Sequence, residues 1–148
     1  MLKWNQRLTA ELQARLAPAV VRIGLEIEGE ARRELHPSAQ DDAGNWIEGG
    51  GRGKRSGTLQ RSIHAASVGY NFAGDDVTPS NSSPDRGGQA PEPERDGDRL
   101  MVAVGSGMVY AMAVHQGHGS FGGYHYLTNA VEKVRPKALA IIRKHVGA

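Results

Sequence analysis

Residues 99–130 read RLMVAVGSGMVYAMAVHQGHGSFGGYHYLTNA, and the reading of this stretch decides the fold. Leu100 to Gly105 and Val109 to His115 are short apolar runs joined by Ser106-Gly107, which predicts two antiparallel strands. In the first run Leu100, Val102 and Val104 face one way and Met101 and Ala103 the other, so both faces are apolar and burial on both sides is expected. Helices would cover one face. A second helix pair or a neighbouring subunit would cover the other. A loop rich in glycine and histidine follows and leads into a helix at Tyr126.

That helix is predicted to run toward Val146, with Leu127, Ala130, Val131, Val134, Ala138, Ile141 and Ile142 as its apolar stripe. Pro136 should kink or restart it, since proline removes a donor and clashes with the preceding turn. Lys133, Arg135, Lys137, Arg143, Lys144 and His145 give it a basic outer face, and the last three complement the helix dipole.

Upstream, Trp4, Leu8, Leu12 and Leu16 repeat near helical spacing until Pro18 interrupts. A second helix is expected from about Ala19 to Leu35, on the stripe Val20, Ile23 or Gly24, Ile27, Ala31 and Leu35. Gly24 and Gly29 each weaken it by up to about 1 kcal/mol relative to alanine, and a close contact at Gly24 would explain one of them. His36-Pro37 ends the helix. Residues 38–57 read as loop, with Trp46-Ile47 either tethering it to the core or meeting a partner. Thr58 to Ile63 opens the next ordered piece, passing into a strand from His64 to Tyr70. Residues 71–98 are poor in apolar side chains and rich in Pro, Gly, Ser, Asp and Glu, and read as one long mobile loop.

The sum is an α+β domain over residues 1–148. A small, mainly antiparallel sheet packs against a long N-terminal helix and a C-terminal helix, with long mobile loops. A hydrophobic content of 39% with 5% aromatics, beside 20 glycines and 7 prolines, suits a small domain that gains burial from neighbours as well as a modest monomer with long loops. Eighteen basic and sixteen acidic side chains leave a formal charge of only +2, which argues against a strongly cationic nucleic-acid binder. With no cysteine, disulfides, thiolate metal sites and thiol nucleophiles are excluded. Neither a signal-peptide core near Lys3, Arg7, Glu11 and Arg15 nor an apolar run of about 18 residues is present, so a soluble protein made in the cytoplasm is expected.

Four chemistries compete with blander readings. His115, His118 and His125 have spacings that could reach one metal ion, but no carboxylate lies within the stretch to orient them and glycines give it little rigidity. Gly49 to Gly57 resembles a phosphate-binding loop, yet Arg55 follows Lys54 where Ser or Thr is needed, and no apolar strand enters it. Arg52, Lys54, Arg55 and Arg61 form a local basic patch able to contact a phosphate backbone without reading sequence. No Ser-His-Asp order has the context of a nucleophile elbow. No enzyme, cofactor or metal is therefore expected.

Three blocks in order carry a resemblance: Leu35-His36-Pro37 leading to Ser56-Gly57-Thr58-Leu59-Gln60-Arg61-Ser62-Ile63; Val104-Gly105 followed by Tyr110-Ala111-Met112-Ala113-Val114-His115-Gln116-Gly117; and Tyr126-Leu127-Thr128-Asn129-Ala130. Together they resemble the small tail-component family of tailed bacteriophages and prophages. His115 stands where that family usually has glutamate, and Tyr126 where it usually has phenylalanine. The resemblance implies a virion protein, made in the host cytoplasm, that completes the tail and joins it to the head. It implies a ring, sixfold, at the neck, with copies of itself, a neck protein on the head side and a tail-tube protein as partners. On this reading Tyr110, His115, Gly117, His118, Phe121 and Tyr124 form the subunit or partner interface, and loops 38–57 and 71–98 order on assembly. Arg52, Lys54 and Arg55 would face packaged DNA. The alternative is a phage-encoded accessory protein that binds nucleic acid through the basic glycine-rich loop.

Overall fold

One helix, α1, runs from Leu2 to Glu34. The computed structural model describes residues 2–35, 39–40, 43, 46–47, 58–72, 91–97 and 99–147. The two helices expected before Leu35 are therefore a single one, and Pro18 lies inside it with its ring exposed. A proline in a helix removes one backbone hydrogen bond, a local cost that a long packed helix can carry.

After α1 come β1 (Ala39–Gln40) and β2 (Trp46–Ile47), paired antiparallel inside the stretch read as loop. The rest of residues 48–57 lies outside the described residues. Next is α2 (Thr58–Ser62), a single helical turn where a strand approach was expected, followed by β3 (His64–Ala66). Only three residues of the expected strand 64–70 are extended. Ser67 to Tyr70 instead close a turn, with the Tyr70 N–H donating to the Ser67 carbonyl at 2.9 Å.

The stretch 99–105 is not one strand. It splits into β5 (Arg99–Met101) and β6 (Ala103–Gly105), with Val102 between them. Pairing β5 antiparallel is β4 (Glu94–Asp96), which lies within the expected loop 71–98. Within that loop, residues 73–90 fall outside the described set. Strand β6 pairs antiparallel with β3, His64 opposite Gly105 and Ala66 opposite Ala103. The sheet of this α+β fold is thus a set of two-stranded antiparallel ladders against the helices.

The second half of the expected hairpin is a correction. Val109 and Tyr110 form a turn, and Ala111–Gln116 is a helix, α3. A short apolar run fits a strand or a buried helix turn equally well, and here tertiary pairing decides: β6 finds its partner in β3. The Ser106-Gly107 segment carries no hairpin. Ser106 Oγ accepts the Met108 N–H at 3.2 Å and stands 2.5 Å from Ser62 Oγ, whose own proton goes to the Leu59 carbonyl at 2.7 Å.

The last helix, α4 (Tyr126–Val146), is where expected and continues through Pro136. It lies antiparallel along α1. Lys133 pairs with Glu34, and Lys137 lies 3.8 Å from Glu30. The core sits at the α1–α2–α3–α4 junction: Ala31, Leu35, Leu59, Ile63, Ala111, Tyr126 and Ala130 are buried together. Tyr126, 1% exposed, fills its centre and donates its hydroxyl to the Ala111 carbonyl at 3.3 Å.

The buried Glu28 and the half-buried Arg32 fasten α1 to β3 and the residue before it. Glu28 accepts the Ala65 N–H at 2.8 Å and pairs with Arg32 at 3.0 Å. Arg32 in turn donates twice to the Ile63 carbonyl, at 2.9 and 2.7 Å. One turn before Glu28, Gly24 meets Val102, which explains that glycine as a close approach of α1 to the link between β5 and β6. No contact within 4 Å accounts for Gly29.

Candidate assembly surface

The sequence from Tyr110 to Asn129 folds into a knot that joins α3 to α4. Tyr110 caps α3, and its carbonyl accepts the Val114 N–H at 3.1 Å. At the other end of α3 the Gly117 N–H reaches the Ala113 carbonyl at 2.9 Å. Gly117 then takes φ 99°, and a Cβ there would strike the Phe121 carbonyl. His118 and Phe121 exchange backbone hydrogen bonds of 2.9 and 3.1 Å across a tight turn. The chain returns alongside α3, where Tyr124 and His125 donate to the Val114 and His115 carbonyls, each at 2.9 Å.

His125 adopts φ 51°, the left-handed region, directly before α4. It has no side-chain cap of its own. His115 supplies one across space: its Nδ1 accepts the Leu127 N–H at 3.4 Å, while Nε2 stands 3.4 Å from Thr128 Oγ1. Acceptance at Nδ1 places the imidazole proton on Nε2, where it can donate to the threonine. The ring also packs edge-on to Tyr126 at 5.0 Å and to His125 at 5.7 Å. Burial, and then the neighbouring His125, hold the His115 imidazole below its usual value. Burial, and then the nearby Tyr110, push the Tyr126 hydroxyl up to about 12. Asn129 closes the knot by donating to the Tyr124 carbonyl and to Glu34, both at 3.2 Å.

The six residues expected at an interface thus separate into two kinds. His115, Gly117 and Tyr124 are half-buried and hold the knot together. Tyr110, His118 and Phe121 are exposed, Phe121 resting edge-on against Tyr124 at 5.0 Å. The glycine- and histidine-rich loop is closed by reciprocal backbone hydrogen bonds. Sequence reasoning placed Val109 and Met112 in a strand and so missed them. They are 98% and 64% exposed, beside Tyr110 at 38%. Helical spacing from 111 to 116, with Ala111 turned inward and Met112 outward, was the signal that would have found Met112.

Among the described residues, no three His, Asp or Glu side chains gather as a metal site, and no helix is long and apolar enough to cross a membrane. Arg52, Lys54 and Arg55, expected to face DNA, lie outside the described residues. Compared with family models, curated proteins and solved structures, the chain matches none.

Proposed function

We propose that this chain is a structural component of a tailed-bacteriophage neck, acting in a ring of copies that completes the tail and joins it to the head. Its work is mechanical. The observation that carries this reading is the run of large apolar side chains left in solvent around a braced scaffold: Val109, Tyr110, Met112 and Phe121. Isolated exposed apolar residues are ordinary, but several on one short, hydrogen-bonded segment suit a surface made to be covered. The three blocks of the resemblance also fall at structurally demanding places. Leu59, Ile63, Ala111 and Tyr126 are core, and Gly117 makes the turn.

The test is a mass measurement of the purified chain, alone and mixed with tail tubes, with electron microscopy of any ring. The variant Met112→Asp should fold as the parent does and fail to join the assembly. A strictly monomeric chain that binds no tail or head component, or unchanged assembly by the variant, would sink the reading. The genes alongside offer an independent check, since capsid, portal and tail genes are expected there.

A further inference from the structure

The outer face of α4 reads as uniformly basic in sequence, but its charges are unequally used. Every carboxylate of α1 and α4 is engaged: Glu11 with Arg15, Glu26 with Arg22, Glu28 with Arg32, Glu30 with Arg33 and Lys137, Glu34 with Lys133, and Glu132 with Arg135. Among the described side chains of these helices, that leaves Arg7, Arg143 and Lys144 without a carboxylate. Two of the three are adjacent in the last turn of α4. A helix C-terminus carries only about half an elementary charge, so its dipole does not account for both.

Lys144 lines a cleft of about 480 Å³ between the two helices, together with Arg22, Glu26, Ile141 and His145. Glu26, the one acid in the lining, is neutralised by Arg22 at 2.5 Å through Nη2, which leaves the other guanidinium N–H groups of Arg22 for a ligand. His145 Nδ1 donates to the Ile141 carbonyl at 2.8 Å, which fixes the ring at the edge of the cleft with its proton already spent on the backbone. Ile141 supplies an apolar wall. The remaining guanidinium N–H groups of Arg22 from one helix, the Lys144 ammonium from the other, and a net positive charge once Glu26 is counted make a pattern that tetrahedral oxyanions satisfy.

We infer that this cleft binds a phosphate-class anion, either free phosphate or a phosphodiester of a nucleic-acid backbone. The inference stands apart from the neck reading, since it rests on the charge inventory of α1 and α4 and on the cleft alone.

The experiment is a pair of NMR titrations of the isotopically labelled full chain at low salt. One uses inorganic phosphate and the other a short DNA duplex. Saturable shifts are expected at Arg22 and from Ile141 to His145. Lys144→Ala should weaken the binding at least about fivefold, whereas Arg135→Ala, which removes an equal charge already paired with Glu132, should change it by less than about twofold. Saturation by phosphate alone assigns a small-anion site, and saturation by DNA alone assigns a backbone contact; either supports the inference. It is overturned if neither titration saturates, or if the two variants weaken binding equally, since that is the behaviour of diffuse charge.

Discussion

A Cβ added at Gly24 would come within 2.8 Å of Val102 Cγ1, while one added at Gly29 would meet nothing within 4 Å. Both glycines sit in α1, so substitution separates the cost of a helical glycine from the need for one. Gly24→Ala should destabilise by about 1–3 kcal/mol as Val102 is displaced. Gly29→Ala should stabilise by about 0.5–1 kcal/mol by lowering the entropy of the unfolded chain. Urea unfolding of both variants checks the pair, and a destabilised Gly29→Ala would show that the helix alone does not explain that position. His115 carries a different kind of prediction. It caps α4 only while Nδ1 is unprotonated, and its pKa is lowered from 6.5 in the folded chain. The folded state then binds this proton less readily than the unfolded one. The stability it confers is complete above pH 6.5 and falls as pH drops through the lowered value. Unfolding midpoints measured from about pH 7 to about pH 5 should decline less steeply in His115→Asn, which keeps an acceptor without the titration. Equal slopes in parent and variant would remove His115 as the cause.

At the level of elements, the two long helices are legible in the sequence, while the strands at 64–66 and 99–105 are legible only in part and the short helix α3 is not. The apolar stripe around Ile27, Ala31 and Leu35 and the one from Leu127 to Ile142 each have a single helical solution, and both appear. Proline rules erred in detail, because a local penalty cannot reveal how much packing opposes it. Pro136 lies inside α4 as an exposed residue, so Pro136→Ala should stabilise the chain by up to about 3 kcal/mol, measured by chemical denaturation. Strand pairing depends on partners far away in the chain. Ala65 meets Val104 and Leu100 meets Arg95, and neither register is written in the local alternation. The segment after Gly107 was misread for the same reason: with β6 already paired to β3, Ala111 was free to turn inward on a helix. Of the candidate surface, Tyr110 and the histidine loop were legible as one cluster, but their division into exposed and structural residues needed the fold.

For the whole molecule, the antiparallel packing of α1 and α4 leaves α1 the longer by a clear margin. The end of α4 lies near Arg22, where Lys144 and His145 share a cleft with it. From there α1 continues back toward Leu2 for roughly 30 Å at about 1.5 Å per residue. The β4–β5 ladder touches this extension where Gln13 donates to the Gly97 carbonyl at 3.2 Å. Leu8 and Leu12 are 46% and 43% exposed on it, at the three- and four-residue helical spacing that leads through Leu16 to the buried Ala19. The double variant Leu8→Ala/Leu12→Ala should therefore change unfolding stability by less than about 0.5 kcal/mol per site, the scale of surface substitutions. On the neck proposal, it should also weaken association measured by sedimentation. A large loss of monomer stability would mean that these leucines are covered within the single chain.

The cross-ties between α1 and α4 carry one more consequence. Glu34 meets Lys133 and Glu30 meets Lys137, so acids and bases both recur at one-turn intervals along the facing helices. Sliding α4 by one turn, about 5.4 Å, toward the start of α1 would bring Lys133 to Glu30 and Lys137 to Glu26. Charge alone accepts both positions. What distinguishes them is Tyr126, whose ring fills the core and whose hydroxyl reaches the Ala111 carbonyl only in the observed one. The helices form a ratchet with more than one electrostatic notch, and a single tyrosine is its pawl.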